Sequence, residues 1–356
     1  MKSRAFVQVF GGSMVSMVSL VVVISLCAGR CGDDDGGQGE VVRFCVVTFN
    51  TGSTGPTGTL LGEEWTTDLK TIGDDYYGNG LAWKPAVETT RLWLAEVDPD
   101  VVVFQEILGT EDCSDIPAAQ REHFVCEDWQ PGGDTVAQMV LDQGYQVMCH
   151  LGNNDKCGAV KLGFGRFRGC DSDFCLEGMV GAGVPDCGHG SRVARGTIDL
   201  VEGGALTLVN FHGSSGITTE DIDCRVHQVN QVFVDLGTGD GEPAANGERN
   251  LVMGDFNADP VRWASFDDSA ARWLDFVTNP DDPESTPDRP FHFVSDVGED
   301  AEPTYAGMFN IDHVVSDVAT GTCWVAGVTP DRPYVLGDDL HFDHRPIICD
   351  LEMPKP

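Results

Sequence analysis

The chain has 356 residues, with 22 Lys and Arg against 57 Asp and Glu, a formal net charge of −35. Such acidity repels polyanions at long range, and no stripe of Lys and Arg interleaved with aromatics marks a nucleic-acid groove, so capture by a broad basic surface is excluded. The length suits one large α/β domain with ample core, and no internal repeat, heptad run or second domain interrupts it.

Residues 1–30 read as an export signal, in which Lys2 and Arg4 precede an apolar stretch from Met14 to Leu26 that is too short for a comfortable membrane span. Residues 31–40 are a Gly/Asp linker, and Cys31 at its head is similar to the lipidated start of a bacterial lipoprotein. Arg30 stands where a small residue is expected, and Cys27, after Leu26, fits no better. The protein is therefore expected outside the cytoplasm, lipid-anchored or secreted.

Residues 41–353 form the expected main domain. Val41 to Phe49 is a β-branched and aromatic strand leading to Asn50, and Val101 to Gln105 is another leading to Glu106 after the turn Asp98-Pro99-Asp100. Between them lie a Gly/Thr-rich insertion over 51–84 and a helical pattern over 86–97 carried by Val87, Leu92, Trp93 and Leu94. A helix over 135–143 and the strand 145–149 follow, then a Gly- and Cys-rich loop region over 152–190. The strand 193–201 precedes Leu206 to Phe211, which ends at His212. A helix over 220–236 shows Val226, Val229, Val232 and Phe233 on one face. Asn250 to Met253 stops at Gly254-Asp255-Phe256-Asn257, a corner signal. Phe309 to Val315 holds Asp312 inside an apolar run, and Asp343-His344-Arg345-Pro346 opens the last strand, 347–351. An acid so placed needs a partner.

Thirteen cysteines agree with an oxidising compartment. Cys113, Cys126, Cys149, Cys157, Cys170, Cys175, Cys187 and Cys224 fall in Gly-rich loops, where disulfides are expected. A zinc site is the rival reading, but the spacing of Cys170, Cys175 and Cys187 lacks the paired two-residue gaps of zinc ribbons. The odd number leaves at least one thiol, and Cys45 and Cys349, both in apolar strands, read as buried thiols or as a pair.

Asn50, Glu106, His212, Asp255, Asn257, Asp312, Asp343 and His344 all sit at or near strand ends, so the strands can deliver them to one rim. Taken singly each has a plain explanation: Asn50 a turn residue, Asp255 with Asn257 an Asx turn, the histidines part of the core. Together, carboxylates, carboxamides and imidazoles of this kind hold a divalent metal and work on a phosphate ester.

The ordered set Phe49-Asn50, Gln105-Glu106, Gly254-Asp255-Phe256-Asn257, Ile311-Asp312 and Asp343-His344-Arg345-Pro346 resembles the endonuclease/exonuclease/phosphatase superfamily, from about Phe44 to Leu351. That group includes secreted deoxyribonucleases, apurinic endonucleases, bacterial sphingomyelinases and inositol-phosphate phosphatases. The resemblance implies an α/β fold, a two-layered β-sandwich flanked by helices in a single domain, and a phosphoesterase working with Mg²⁺, or with Mn²⁺ or Ca²⁺. Asn50, Glu106 and Asp343 become oxygen ligands, and Asp312 orients His344 and favours its cationic form. Asp255 positions or deprotonates the attacking water, Asn257 orients the water or the phosphate, and His212 donates to a phosphoryl oxygen. Arg195 matches an arginine that some members use against a phosphate backbone, with Arg192 an equal candidate and an exposed strand arginine the plain reading.

Asn310 before Ile311, His313 after Asp312, and Phe342 before Asp343 depart from the pattern, so an unusual rim is expected. A monomer is expected, with a phosphodiester partner: nucleic acid first, phospholipid second. A non-catalytic surface module holding Ca²⁺ on this scaffold is the third reading, and the completeness of the residue set argues against it.

Overall fold

The computed structural model describes residues 41–176, 178–188, 190–278, 289–327 and 340–355. The export segment and the linker, with Cys27 and Cys31, lie outside the described residues.

Strand β1 (Val41–Asn50) is buried on both faces from Phe44 onward, as a strand sandwiched between layers must be. Its alternation decides which layer each side chain enters: Phe44 and Val46 face the inter-sheet core, whereas Cys45, Val47 and Phe49 face a helical layer. After β1 come a hairpin, β2 (Gly58–Leu60) and β3 (Glu63–Trp65), and two helices, α1 (Thr67–Tyr77) and α2 (Lys84–Val97). Thr66 starts α1 by accepting from the Leu69 amide, and Gly78 ends it in the left-handed conformation. The chain continues through β4 (Val101–Gln105), α3 (Val136–Val140), β5 (Tyr145–Cys149), β6 (Cys157–Lys161), β7 (Gly165–Phe167), β8 (Phe174–Cys175), β9 (Val193–Leu200) and β10 (Ala205–His212). A reciprocal Thr218 and Asp221 capping box opens α4 (Thr219–Phe233). Then follow β11 (Asn250–Asp255), α5 (Asp268–Leu274), β12 (Val277–Thr278), β13 (Phe291–Phe293), β14 (Asp312–Ser316), β15 (Thr320–Val325) and β16 (Ile347–Pro354).

Two seven-stranded sheets result, ordered β15-β16-β1-β4-β6-β5-β8 and β12-β13-β14-β11-β10-β9-β7. Each has a parallel pair at its heart, β1 with β4 and β10 with β11, so each sheet brings two strand C-termini to the same edge. The sheets pack face to face through Val46, Val103, Leu208, Met253 and Val314. Helices α1 and α2 cover the first sheet, and α4 and α5 cover the second. This is the single-domain α/β sandwich that the motif order implies.

Several sequence expectations need correction. The insertion over 51–84 is ordered, containing β2, β3 and α1, and the loop region over 152–190 supplies β6, which lies between β4 and β5. The helix expected over 135–143 is α3 alone, five residues long. Leu92 turns outward from α2, at 43% exposure, because Ala86, Thr89, Thr90 and Trp93 already form the buried stripe. Five described disulfides join Cys113 to Cys126, Cys149 to Cys157, Cys170 to Cys175, Cys187 to Cys224 and Cys323 to Cys349. Cys349 is thus neither free nor paired with Cys45: β15 lies directly beside β16 and sets Cys323 opposite it. The zinc reading fails too, since Cys170, Cys175 and Cys187 are all taken.

Candidate active site

Strand register assembles the site. Pairing of β1 with β4 sets Asn50 beside Gln105, β10 with β11 sets His212 beside Asp255, and β11 with β14 sets Asp255 beside Asp312. Just below, Gln105 donates to Asn210 at 2.8 Å and Asn210 donates to the carbonyls of Phe104 and Cys157, a buried link between the sheets. The chain leaves these strands abruptly: Glu106 and Asn257 adopt left-handed backbone at φ 56° and 49°. Gly254 is required where it stands, because a Cβ there would lie 1.8 Å from the Phe211 carbonyl oxygen.

One corner is built around a histidine. His344 Nδ1 lies 2.8 Å from Asp312 Oδ2, and its Nε2 lies 3.7 Å from Asp255 Oδ2. Burial disfavours the charged ring, but Asp312, Asp255 and the hydrogen bond to Asp312 outweigh it and hold its pKa up at about 10. Asp255 is itself held firmly: the Asn257 amide donates to Oδ1 at 2.7 Å, and Asn257 Nδ2 and Asn50 Nδ2 donate to Oδ2 at 2.8 and 3.0 Å. Burial raises its pKa, and the His344 charge works the other way.

The other corner is lined with oxygen. A Cβ placed on Gly52 would meet Glu106 Oε2, Asp343 Oδ1 and Asn50 Oδ1 at 2.7, 3.0 and 3.3 Å, so these three atoms surround one small space. Thr54 donates to Asp343 Oδ2, while the buried Oδ1 has no hydrogen-bond partner among the described residues. Burial raises the Asp343 pKa, with His344 opposing. Three hard oxygen donors, one of them unsatisfied, fit a divalent cation such as Mg²⁺. Asp255, Asp312 and His344 also come within 4.8 Å of one another. There, however, the imidazolium already supplies positive charge, whereas the oxygens of Asn50, Glu106 and Asp343 meet with none of their own.

His212 stands between the corners, 3.4 Å from Glu106 Oε1 and 3.8 Å from Asp255 Oδ2. Burial, then Arg192 and Lys156, push its pKa well below the usual histidine value. Arg192 Nη1 lies 3.1 Å from His212 Nε2, and a guanidinium can only donate. In this arrangement Nε2 accepts, and His212 offers no proton from it. Of the two arginine candidates the structure brings Arg192 to the site, while Arg195 points to the Pro243 carbonyl at 2.9 Å.

The departures from the motif pattern do not shape the rim as expected. His313 and Asn310 are both buried: His313 packs 5.1 Å from Phe256, and Asn310 donates to the Asp296 carbonyl. Phe342 turns inward onto Phe49, at 5.0 Å. Sequence reading missed Thr54, Arg192's contact with His212, and Lys156, a fully buried lysine whose ammonium sits 2.5 Å from Asp155. It also missed Tyr305, whose ring lies 4.7 Å from His344. Tyr305 follows Pro303-Thr304 as an isolated bridge residue outside any strand, so no strand pattern places it.

No protein-family model matches the sequence, and no curated protein matches it. Solved structures similar to this chain include one described as an endonuclease/exonuclease/phosphatase from Beutenbergia cavernae, 15% identical, covering 87% of this chain and 72% of that one with a TM-score of 0.49. The human Nocturnin catalytic domain is 12% identical over 87% of this chain and 95% of its own, at 0.47. A beta toxin from Staphylococcus aureus is 13% identical over 86% and 99%, at 0.46.

Proposed function

We propose that this protein is a metal-dependent phosphoesterase that acts outside the cytoplasm on phosphodiester bonds, nuclease-like in its substrate. The observation that carries this reading is the meeting, in one crevice, of an imidazolium pinned by two acids and three oxygen ligands with an unsatisfied charge. Five disulfides support the extracytoplasmic location.

Asn50, Glu106 and Asp343 would hold the divalent ion, which supplies Lewis-acid polarisation of a phosphoryl oxygen. Asp255, made more basic by burial and aligned by Asn257 and Asn50, takes the proton from the attacking water. His344, kept cationic, presents Nε2–H to charge developing on the phosphoryl group, and Asp312 fixes its tautomer. His212 holds the Arg192 guanidinium against the crevice wall.

A phospholipid substrate is the second reading, favoured by an exposed apolar ledge next to the site. Phe266 and Met308 are 69% and 63% exposed, Phe309 packs 5.5 Å from Trp263, and Tyr305 continues the ledge to His344. The test is a substrate panel on the purified protein: plasmid, single-stranded DNA, RNA, sphingomyelin, phosphatidylinositol phosphates and a generic phosphodiester, each with and without Mg²⁺. Metal-dependent cleavage of nucleic acid is expected. Turnover of sphingomyelin alone would promote the second reading, and no turnover of any ester would refute the first.

A further inference from the structure

The apolar ledge beside His344 is built from rings, and a turn sets its geometry. Ala306 and Gly307 take left-handed backbone, at φ 48° and 66°, and fold the chain back so that Tyr305 and Phe309 become bridge partners. Side chains of directly opposed residues project to the same side, and here the two rings lie 22° from parallel with centroids 6.4 Å apart. Trp263 meets Phe309 edge to face at 5.5 Å, and Phe266 lies 6.3 Å beyond Trp263. At the inner end the Tyr305 ring is 4.7 Å from His344. A continuous row of rings thus runs from the exposed Phe266 to the imidazolium.

Backbone hydrogen bonds fix this row to the site. The Ala306 amide donates to the Asp343 carbonyl at 2.9 Å and the Arg345 amide to the Thr304 carbonyl at 2.7 Å, so the hairpin is strapped to the segment that carries Asp343 and His344. A group lying on the rings is therefore held in register with a phosphate at His344. Charge decides which group suits them. The chain stands at −35, and Arg262, beside Trp263, is engaged by Asp259, so the ledge has no cation to offer a phosphate or an anionic head group. Two residues past Phe266 stands the exposed Asp268, a carboxylate that sinking the ledge into a bilayer would carry toward the acyl chains. A nucleobase meets neither obstacle, because it presents a flat π-face that stacks on aromatic side chains without any phosphate contact.

We propose that the Tyr305–Phe309 hairpin, extended by Trp263, is a stacking platform for the base of an unpaired nucleotide whose phosphate ester lies at His344. This deepens the nuclease-like reading and rests on it, and it gives the ledge to a base in place of an acyl chain. Tyr305, in contact with His344, sets the base next to the scissile phosphate, and Phe309 and Trp263 take the base that follows. Bases in a duplex already stack on one another, so the platform serves single strands and short nucleotides. It also supplies what the composition withholds: an acidic chain without a basic groove holds a polyanion by its neutral faces.

The experiment compares, in Mg²⁺, two short strands of equal charge: oligothymidylate, and a strand in which every nucleoside is an abasic tetrahydrofuran residue. Oligothymidylate is expected to exceed the abasic strand in kcat/KM by about 5- to 100-fold, the range that stacking one base on an aromatic ring provides. In Tyr305→Ala and in Phe309→Ala the ratio should fall toward one, whereas Tyr305→Phe and Phe309→Trp should keep it. A merely structural defect slows both strands together and leaves the ratio where it was. Equal turnover of the two strands by the wild type, or a preference that survives both alanine variants, overturns the platform and leaves the phosphoesterase reading standing. If, besides, sphingomyelin vesicles are turned over by the wild type and not by Phe309→Ala, the ledge belongs to lipid. If no ester is turned over, equilibrium binding of the same strands, read by the anisotropy of an end label, decides. A base preference that the alanine variants remove then supports the platform and overturns the activity, and no preference overturns both.

Discussion

The two corners of the crevice differ in how their charge is balanced. At the histidine corner Asp255, Asp312 and His344 are almost fully buried, at 1%, 1% and 6% exposure, and the protein supplies the cation itself. At the oxygen corner Glu106 is 30% exposed and Asp343 keeps a buried oxygen with no partner among the described residues. Buried carboxylates without a counter-charge are costly. The first corner is therefore balanced within the fold, and the second, on the reading proposed above, is completed by a divalent ion.

The sharpest way to break this contrast is to remove the outside charge. Chelation should lower activity by about a thousandfold or more, since Lewis-acid stabilisation of several kcal/mol is lost, and Mg²⁺ or Mn²⁺ should restore it. Glu106→Gln should weaken metal binding, seen as loss of the Mg²⁺-induced rise in Tm. Full activity in chelator, with the metal verified as absent, would place the chemistry at the histidine corner alone.

The second test asks whether the histidine corner is one unit. Asp312→Ala and His344→Ala should each cost about 10²- to 10⁴-fold in kcat, the usual range for a positioned acid or base, and the double variant should cost little more. Additive losses in the double-mutant cycle would show two independent residues instead of a pair.

Both corners were legible in the sequence only in part, and the reasons are physical. β1, β4, β10 and β11 announced themselves as β-branched runs that stop at a polar residue, and those ends are where the site lies. Strand β6, Cys-Gly-Ala-Val-Lys, has the composition of a loop and is held as a strand by its two neighbours and the Cys149–Cys157 bond, none of which local propensity reports. Helix α1 hid because Thr, Gly and Asp dominate its composition, although Leu69, Ile72 and Tyr77 pack one face of it against the core. The choice between Arg192 and Arg195 needed the fold: Arg192 lies just ahead of β9 and meets His212, whereas Arg195 within β9 meets the Pro243 carbonyl. The pairing of Asp312 with His344 was implied by family resemblance; a separation of 32 positions gave no local signal.

A smaller effect separates two histidines of the same wall. His344 is held up by its acids, whereas burial pushes His313 down to about 4, with only weak opposition from Asp259 and Asp312. Because the folded pKa lies below the ordinary 6.5, the unfolded chain takes up this proton first. Stability present above about pH 6.5 is then lost as pH falls toward about 4. Between about pH 7.5 and about pH 5 this group alone should cost roughly 2 kcal/mol. Urea denaturation of the wild type and His313→Gln at both pH values measures it. The variant should lose less stability than the wild type over that interval, and equal losses would show that His313 protonates freely in the folded protein.

The smallest expected effect concerns the surface around both corners. At −35 overall, the chain repels a polyanion at long range, while a cation beside the site such as Arg192 acts only at contact distance. Added salt screens the long-range term first, since the Debye length is about 10 Å at 0.1 M, and reaches the half-buried contacts less. Cleavage of a single-stranded oligonucleotide at fixed Mg²⁺ and sub-saturating substrate should therefore rise, by less than about tenfold, as potassium chloride goes from low to moderate concentration. A protein that binds through a basic groove shows the reverse, a steep loss of affinity with every increment of salt. If the rate falls steeply and monotonically from the lowest salt, the acids lie away from the approach path and contact cations govern encounter as well as docking. The oxygen corner would then be served by an attractive field at every distance, and the opposition between surface and site drawn here would not hold.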